Sequence, residues 1–305
     1  MSLAPPGAHL LVGAMDNHVH ACPHINARSL DVLTAVREAA DAGMAALGLM
    51  DNFANSAGYA ALARAALPEL AIDVFGGLIM EPPAGGLSAE AVRIALAYGY
   101  RPGDGARFVS LPTHHTRNVA RLERRSPAYV ESCLAIPDTG PLPDPLPEIL
   151  DLVAAADVVF NTGHVSGPEA VRLVEVARAR GVGRILVPAA HYDAATVATL
   201  AGLGAVCEFS FFAVSHATRI GLTHVDAAAH AVPFVHPAEI AASIAAAGPE
   251  RAILSSDCGV GVLPRPVEGL REFLVLLGHC GVAEADCVTM VATTPKRLFK
   301  VGARG

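Results

Sequence analysis

Short apolar runs alternate with amphipathic helical patterns along most of the chain, and this alternation predicts a parallel α/β architecture. The apolar runs are continuous and rich in Val, Ile, Leu, Phe and Ala, which is typical of strands that are buried on both faces. We predict strands at 9–15, 45–50, 72–80, 107–111, 158–162, 184–188, 205–209 and 252–255.

Helical patterns occupy the segments between these strands, and they open at recognisable start signals. Ser29 and Ser88 are predicted to cap two helices, while Pro168, Pro237 and Pro266 lie at the start of three others. Eight strand–helix units in 305 residues favour a single (β/α)8 TIM barrel domain spanning 1–305, with a doubly wound open sheet as the alternative.

Two connections are much longer than the rest. The segment 113–147 follows the fourth predicted strand, and the segment 213–237 follows the seventh. Long loops after barrel strands usually cover the active-site face. The second segment carries four histidines to which we assign no role, namely His216, His224, His230 and His236.

Composition narrows the classes of function. Hydrophobic residues make up 52% of the chain and charged residues 17%, which supplies a large core and excludes a disordered protein. A formal net charge of −7 without a basic stripe argues against a nucleic-acid partner. We find neither a membrane-length apolar run nor a basic signal-peptide region, so we expect a cytoplasmic protein without a membrane partner. A homo-oligomer is the base-rate expectation.

The clearest chemical signal is a pair of histidines at the end of the first predicted strand. His18 and His20 are two residues apart, and side chains at that spacing share one face of a strand. Two imidazoles that project toward the same point form a chelating pair for a borderline metal ion.

Three further polar residues follow other predicted strands. His164 ends the fifth, His191 ends the sixth and Asp257 ends the eighth. In a barrel, all of these groups converge with the first pair at the C-terminal rim. Buried imidazoles and a buried carboxylate are costly unless they are paired or bound to metal. The sequence therefore predicts a metal site at this rim.

These motifs as a set resemble those of the amidohydrolase superfamily of metal-dependent barrel hydrolases. The resemblance rests on HVH after the first strand, GH after the fifth, a histidine after the sixth and SSDCG after the eighth. The segment 292–299 is also similar to the closing helix of that superfamily, and the likeness runs from about residue 10 to residue 300. It is closest to a poorly characterised branch.

The resemblance implies a role for each rim residue. His18, His20, His164 and Asp257 would bind one ion, and His191 would bind a second ion or hydrogen-bond the substrate. Asp257 would orient a water molecule and shuttle its proton to the leaving group. The metal, helped by His191, would polarise the carbonyl group.

The chain departs from the binuclear pattern at the fourth strand. Many binuclear relatives have a carboxylated lysine there, but the only lysines of this chain are Lys296 and Lys300. Glu81, His114 and His115 are the candidates for a substitute bridge or for substrate contact. We favour one divalent ion over two, and zinc over manganese or iron, although all three accept these ligands.

The predicted function is therefore that of a metal-dependent hydrolase. Activated water would attack an amide, ester or lactone carbonyl of a small, anionic substrate molecule. Arg28 and Arg117 follow strand ends and are candidate clamps for a substrate carboxylate. Two alternatives stay open: a mononuclear decarboxylase similar to aminocarboxymuconate-semialdehyde decarboxylase, and a metal-binding barrel without catalytic activity.

Overall fold

Parallel strands arranged around one axis form the frame of the molecule. The computed structural model describes residues 4–215, 222–223 and 229–302. Its strands are β1 (Met15–Val19), β2 (Ala46–Leu49), β3 (Asp73–Phe75), β4 (Gly77–Ile79), β5 (Phe108–Ser110), β6 (Val159–Asn161), β7 (Ile185–Pro188), β8 (Val206–Ser210), β9 (Leu222–Thr223), β10 (Ala229–His230) and β11 (Ala252–Ser255). Only β9 and β10 pair antiparallel among the described strands, as a short hairpin outside the main frame.

The strand order is that of a TIM barrel. One sheet runs β1-β2-β3 and a second runs β4-β5-β6-β7-β8-β11. Gly76 separates β3 from β4, so the predicted strand 72–80 pairs with β2 in its first half and with β5 in its second half. At the other end of the frame, His20 N donates to Cys258 O at 2.8 Å and Asp257 N donates to His18 O at 2.9 Å. These bonds join β1 to the segment after β11.

Helices follow most of the strands. They are α1 (Val32–Asp41), α2 (Ser56–Ala66), α3 (Ala89–Ala97), α4 (Arg117–Leu122), α5 (Pro127–Ser132), α6 (Leu146–Ala156), α7 (Gly167–Ala179), α8 (Ala194–Gly202), α9 (Phe211–Val214), α10 (Pro237–Ala247), α11 (Pro266–His279), α12 (Glu284–Val288) and α13 (Thr294–Phe299). Among the described residues, none of these helices combines the length and the apolar character that crossing a lipid bilayer requires.

The core has two parts, and their separation places the chemistry. A large apolar layer fills the space between the strands and the surrounding helices. A smaller cluster comes mostly from the N-terminal halves of the strands, including Met15, Phe108 and Ile253, and Leu298 and Phe299 of α13 pack into it. Polar side chains are therefore concentrated toward the C-terminal ends of the strands, above this inner cluster.

Two details of the sequence-based elements are wrong. Of the predicted strand 9–15, only Met15 belongs to β1. Residues 9–11 lie in a 3-10 helix, Ala8–Leu11, which buries Leu10 and Leu11 and contacts α11 and α12. The helix predicted to start at Ser29 begins at Val32 and is capped by Asp31, whose side chain accepts a hydrogen bond from Thr34 N. Ser29 N donates to Gly259 O at 2.7 Å. Ser88 does cap α3, as predicted.

Candidate functional site

The end of β1 brings His18 and His20 together, as their spacing predicts. Their ring centroids lie 5.2 Å apart, and both side chains are buried. The pairing of β1 with β2 shifts register between Asp16 and Val19. Such an irregularity re-aims side chains near the end of a strand, which is why bulges are frequent beside functional sites.

Asp257 completes a compact group with these two histidines. Its Oδ1 atom lies 3.2 Å from Nε2 of His18 and 3.2 Å from Nε2 of His20. One potential ligand atom from each of the three residues lies within 4.8 Å of the other two. Asp257 has a φ of 51°, in the left-handed region that non-glycine residues rarely occupy. Strain of this kind is common at functional sites.

Gly259 allows the Asp257 segment to approach β1 closely. A Cβ atom at this position would lie 1.7 Å from His20 O, and the φ of Gly259 is 126°. A residue with a side chain would clash with His20 O here and would be strained by the positive φ, so only glycine suits this position. The glycine of the SSDCG motif therefore has a structural role in bringing Asp257 to the histidines.

Glu208 lies beside this group, and the sequence alone did not assign it a role. Its side chain points inward from β8 and is 3% exposed. Oε1 of Glu208 accepts a hydrogen bond from Asn17 Nδ2 at 2.7 Å and lies 3.2 Å from His18 Nδ1. The signal that would have found it is a single carboxylate in an otherwise apolar buried strand, at an inward-facing position.

Charges within the group shift each pKa. Burial lowers the pKa of His18, but the charges of Asp257 and Glu208 outweigh it and raise the pKa to about 9. Burial raises the pKa of Asp257, yet the charge of His18 and the bond with His20 bring it down to about 2. Burial lowers the pKa of His20 to about 4, and the charge of Arg28 adds to this effect. The carboxylates thus create a place where positive charge is favoured.

A cavity of about 410 Å³ opens beside the group at the C-terminal ends of the strands. His164 and His191 both line it, together with His18, His20 and Asp257. The structure therefore brings all five predicted rim residues to one cavity. His164 and His191 do not belong to the compact three-residue group, and His191 is exposed while the two β1 histidines are buried.

The predicted substitutes for the bridging lysine have different positions. Glu81 is fully buried, and its Oε1 accepts hydrogen bonds from Thr113 N, Thr113 Oγ1 and His114 N at 2.6, 2.9 and 2.7 Å. Its Oε2 lies 2.8 Å from His115 Nδ1. Of these residues, Thr113 and His114 line the cavity, and Glu81 and His115 do not. In this structure Glu81 anchors the loop that follows β5.

The two arginines predicted to bind a substrate carboxylate lie in different places. Arg28 lines the cavity, where its Nη2 donates to His24 Nε2 at 2.9 Å. Arg117 starts α4 and forms an ion pair with Glu131 at 2.8 Å, and it is not among the cavity-lining residues. In the second long loop, His216 and His224 lie outside the described residues, as does the side chain of His230. His236 caps α10 at an exposed position.

The donor set of the compact group fits a divalent cation. Two imidazoles and a carboxylate are typical ligands of zinc, and manganese and iron accept the same types. Nδ1 of His20 is buried without a hydrogen-bond partner among the described residues. No group in that part of the chain therefore determines whether Nδ1 or Nε2 of this ring carries the proton. The three residues can therefore hold an ion, and His164 faces the same cavity.

Solved structures show that other proteins share this fold. An amidohydrolase from Pseudomonas aeruginosa has a TM-score of 0.58 at 11% identity, covering 97% of this chain and 99% of its own. A protein described as a 2-pyrone-4,6-dicarboxylic acid hydrolase from Pseudomonas putida has a TM-score of 0.57 at 17% identity, covering 95% and 98%. A mutant PTE-like lactonase from Deinococcus radiodurans has a TM-score of 0.53 at 16% identity, covering 97% and 98%. The predicted barrel fold is confirmed.

Sequence comparison gives the family. No curated protein matches the chain in sequence. A family model matches residues 13–208, a range that contains His18, His20, His164 and His191 and ends at Glu208, before Asp257. The chain therefore belongs to the family of unknown function DUF6282.

Proposed function

We propose that this protein is a metal-dependent hydrolase of the amidohydrolase type, acting on an amide, ester or lactone carbonyl of a small anionic molecule. The observation that carries the proposal is the group formed by His18, His20 and Asp257 in the wall of the cavity. The fold likeness to an amidohydrolase, a hydrolase and a lactonase supports the same class of reaction.

The three residues of the group, with His164 as the resemblance implies, would hold the ion, for which zinc is the first choice. When bound, such an ion supplies Lewis acidity and lowers the pKa of a water ligand to about 7. Neutral imidazoles are required for this binding. The low pKa of His20 keeps its ring neutral, whereas His18, whose pKa is raised to about 9, would release a proton as the ion binds. Asp257 is ionised at neutral pH, as a ligand carboxylate must be.

Proton transfer in the proposed reaction falls to Asp257. Its Oδ1 faces the two histidines, while Oδ2 lies 3.4 Å from Ser210 Oγ, a weak contact that leaves acceptor capacity. Oδ2 would take the proton of the attacking water and pass it to the leaving group. His191 would donate a hydrogen bond to the substrate carbonyl oxygen, where negative charge develops.

The cavity walls support a substrate with an apolar body and one carboxylate. Val119, Leu122, Val165 and Val260 supply apolar surface. Arg28 supplies positive charge, and its Nε is buried without a hydrogen-bond partner among the described residues. A guanidinium on a cavity wall suits recognition of a carboxylate.

The test combines metal content with a panel of carbonyl substrates. Plasma mass spectrometry on protein purified without chelator is expected to give one divalent ion per chain. Lactones, esters and amides would then be assayed, each with and without a carboxylate, with carbon dioxide release measured in parallel.

Each outcome separates the candidates. Metal-dependent cleavage of one carbonyl class supports the hydrolase, and two ions per chain would support the binuclear form. Carbon dioxide release without hydrolysis would identify the decarboxylase, and bound metal without any turnover would identify the non-catalytic barrel. No metal, even after reconstitution with zinc and manganese, would refute the proposed site. The cytoplasmic location and the homo-oligomer stay predictions, for cell fractionation and light scattering to check.

A further inference from the structure

We propose that Glu208 is a positioning residue that holds the His18 ring in the orientation and tautomer needed to bind the cation. The inference rests on the metal site proposed above and adds a residue from a different strand to it. Glu208 and His18 are 190 residues apart in the chain, so their contact exists only in the folded barrel.

The two nitrogens of the His18 ring face two different carboxylates. Nδ1 lies 3.2 Å from Glu208 Oε1, and Nε2 lies 3.2 Å from Asp257 Oδ1. When both ring nitrogens have a partner, turning the imidazole by 180° would place carbon atoms where the nitrogens were and would break both contacts. The ring therefore presents Nε2, and not Nδ1, to the three-residue group.

Ligand chemistry requires this arrangement. A neutral histidine carries one proton, and the nitrogen that binds a cation must be the unprotonated one. A carboxylate at Nδ1 accepts the proton there, which leaves the lone pair at Nε2 and makes the ring a stronger ligand. Glu208 supplies this acceptor from a side chain that is 3% exposed, at the edge of the cavity that the histidines line.

Glu208 is itself held in place. Asn17 Nδ2 donates to the same Oε1 atom at 2.7 Å, and both residues are buried. This short hydrogen bond from β1 to the side chain on β8 restricts rotation of the carboxylate and favours its ionised form. The arrangement thus runs from Asn17 through Glu208 to His18.

The geometry favours a positioning role over direct ligation. The ligand atoms that lie within 4.8 Å of one another belong to His18, His20 and Asp257, and Glu208 is not part of that group. Its Oε1 approaches the side of the imidazole that faces away from Asp257.

The test measures zinc affinity by competition with a chromophoric chelator, using the full chain. Glu208→Ala removes the acceptor and is expected to weaken zinc binding by roughly 10- to 100-fold, the usual effect of losing such a partner. Glu208→Gln keeps an oxygen acceptor at nearly the same place, so its loss is expected to be several-fold smaller. Glu123→Gln is the matched control, because it removes a carboxylate that lines the same cavity and does not belong to the three-residue group.

Several results would overturn the inference. They are an unchanged zinc affinity in Glu208→Ala, equal losses in the Ala and Gln variants, or an equal loss in Glu123→Gln. Circular dichroism and the unfolding midpoint of the metal-free variants show whether each one folds, and the Gln variant provides the test if the Ala variant does not. Wild-type protein that binds no zinc would instead refute the metal site itself, so the two failures are distinguishable.

Discussion

Two carboxylates at the same rim of the barrel have opposite surroundings: Glu81 is fully buried, and Asp257 is partly exposed. Glu81, after β4, accepts backbone and side-chain hydrogen bonds from 113–115, and both of its oxygens are used. Asp257, after β11, shares Oδ1 between two imidazoles. Its Oδ2 has only a long contact with Ser210 Oγ and can accept further hydrogen bonds. Both positions follow a strand and both have histidine neighbours, so residue type and place in the chain do not distinguish them.

The difference shows how a functional carboxylate is recognised. A carboxylate whose lone pairs are saturated by backbone N–H groups stabilises a loop and has little left to offer a ligand. A carboxylate that faces a cavity among imidazoles and lies in a strained backbone conformation keeps the capacity to bind and to move protons. We therefore expect substitution at Glu81 to affect stability and substitution at Asp257 to affect chemistry.

The largest effect is expected from Asp257→Asn. The amide keeps the shape, and asparagine tolerates the left-handed backbone at this position, so the variant should fold. Loss of the ligand and proton acceptor should lower kcat on the identified substrate by roughly 10²- to 10⁴-fold. Metal content and kcat, measured on the same preparation, check this. Unchanged metal content together with unchanged kcat would show that the group is not the active site.

Glu81→Gln is the matched substitution at the carboxylate that anchors the loop after β5. Its amide nitrogen would face N–H donors, and each buried donor left unpaired costs about 1–3 kcal/mol. We expect the free energy of unfolding in urea to fall by about 3 kcal/mol, with metal content as in wild type. A loss of metal at unchanged stability would mean instead that Glu81 supplies the bridge between two ions.

The two arginines extend the comparison to substrate binding. Arg28 belongs to the cavity, whereas Arg117 follows the loop anchored by Glu81 and pairs with Glu131. Arg28→Ala should raise KM for carboxylated substrates by about 10-fold or more and leave uncharged analogues unaffected, as expected for loss of a charge-assisted hydrogen bond. Arg117→Ala should leave KM unchanged. An equal change in KM on both substrate types would show that Arg28 does not bind the substrate carboxylate.

The smallest effect concerns acid stability. Burial raises the pKa of Glu81, but the hydrogen bonds from His115, His114 and Thr113 outweigh it and hold the pKa below its usual value of 4.5. A lowered folded-state pKa stabilises the protein above the unfolded-state pKa, and this contribution is lost as pH falls through the folded-state value. The stability difference between wild type and Glu81→Gln should therefore shrink from about pH 6 to pH 3. A difference that stays constant over this range would contradict the ionised, hydrogen-bonded Glu81.

Periodicity and strand order determined much of this protein from the sequence alone. Continuous apolar runs located seven of the eight predicted strands, and the side-chain alternation of β1 placed His18 beside His20. Convergence of strand ends in a barrel brought His164, His191 and Asp257 to the same cavity. These features follow from local backbone geometry and from the rule that the C-terminal ends of barrel strands meet at one rim. Short stretches of sequence are enough to apply both.

Only the tertiary structure decided which polar groups meet at contact distance. The bond between Glu208 and His18 joins residues 190 positions apart, and the path of the loop after β5 decided that Glu81 would be saturated. In the first segment, 9–15, residues 9–11 lie in a 3-10 helix that packs against the distant helices α11 and α12, and only Met15 joins β1. Hydrogen bonds and burial act between neighbours in space, and sequence periodicity does not record which distant residues become neighbours.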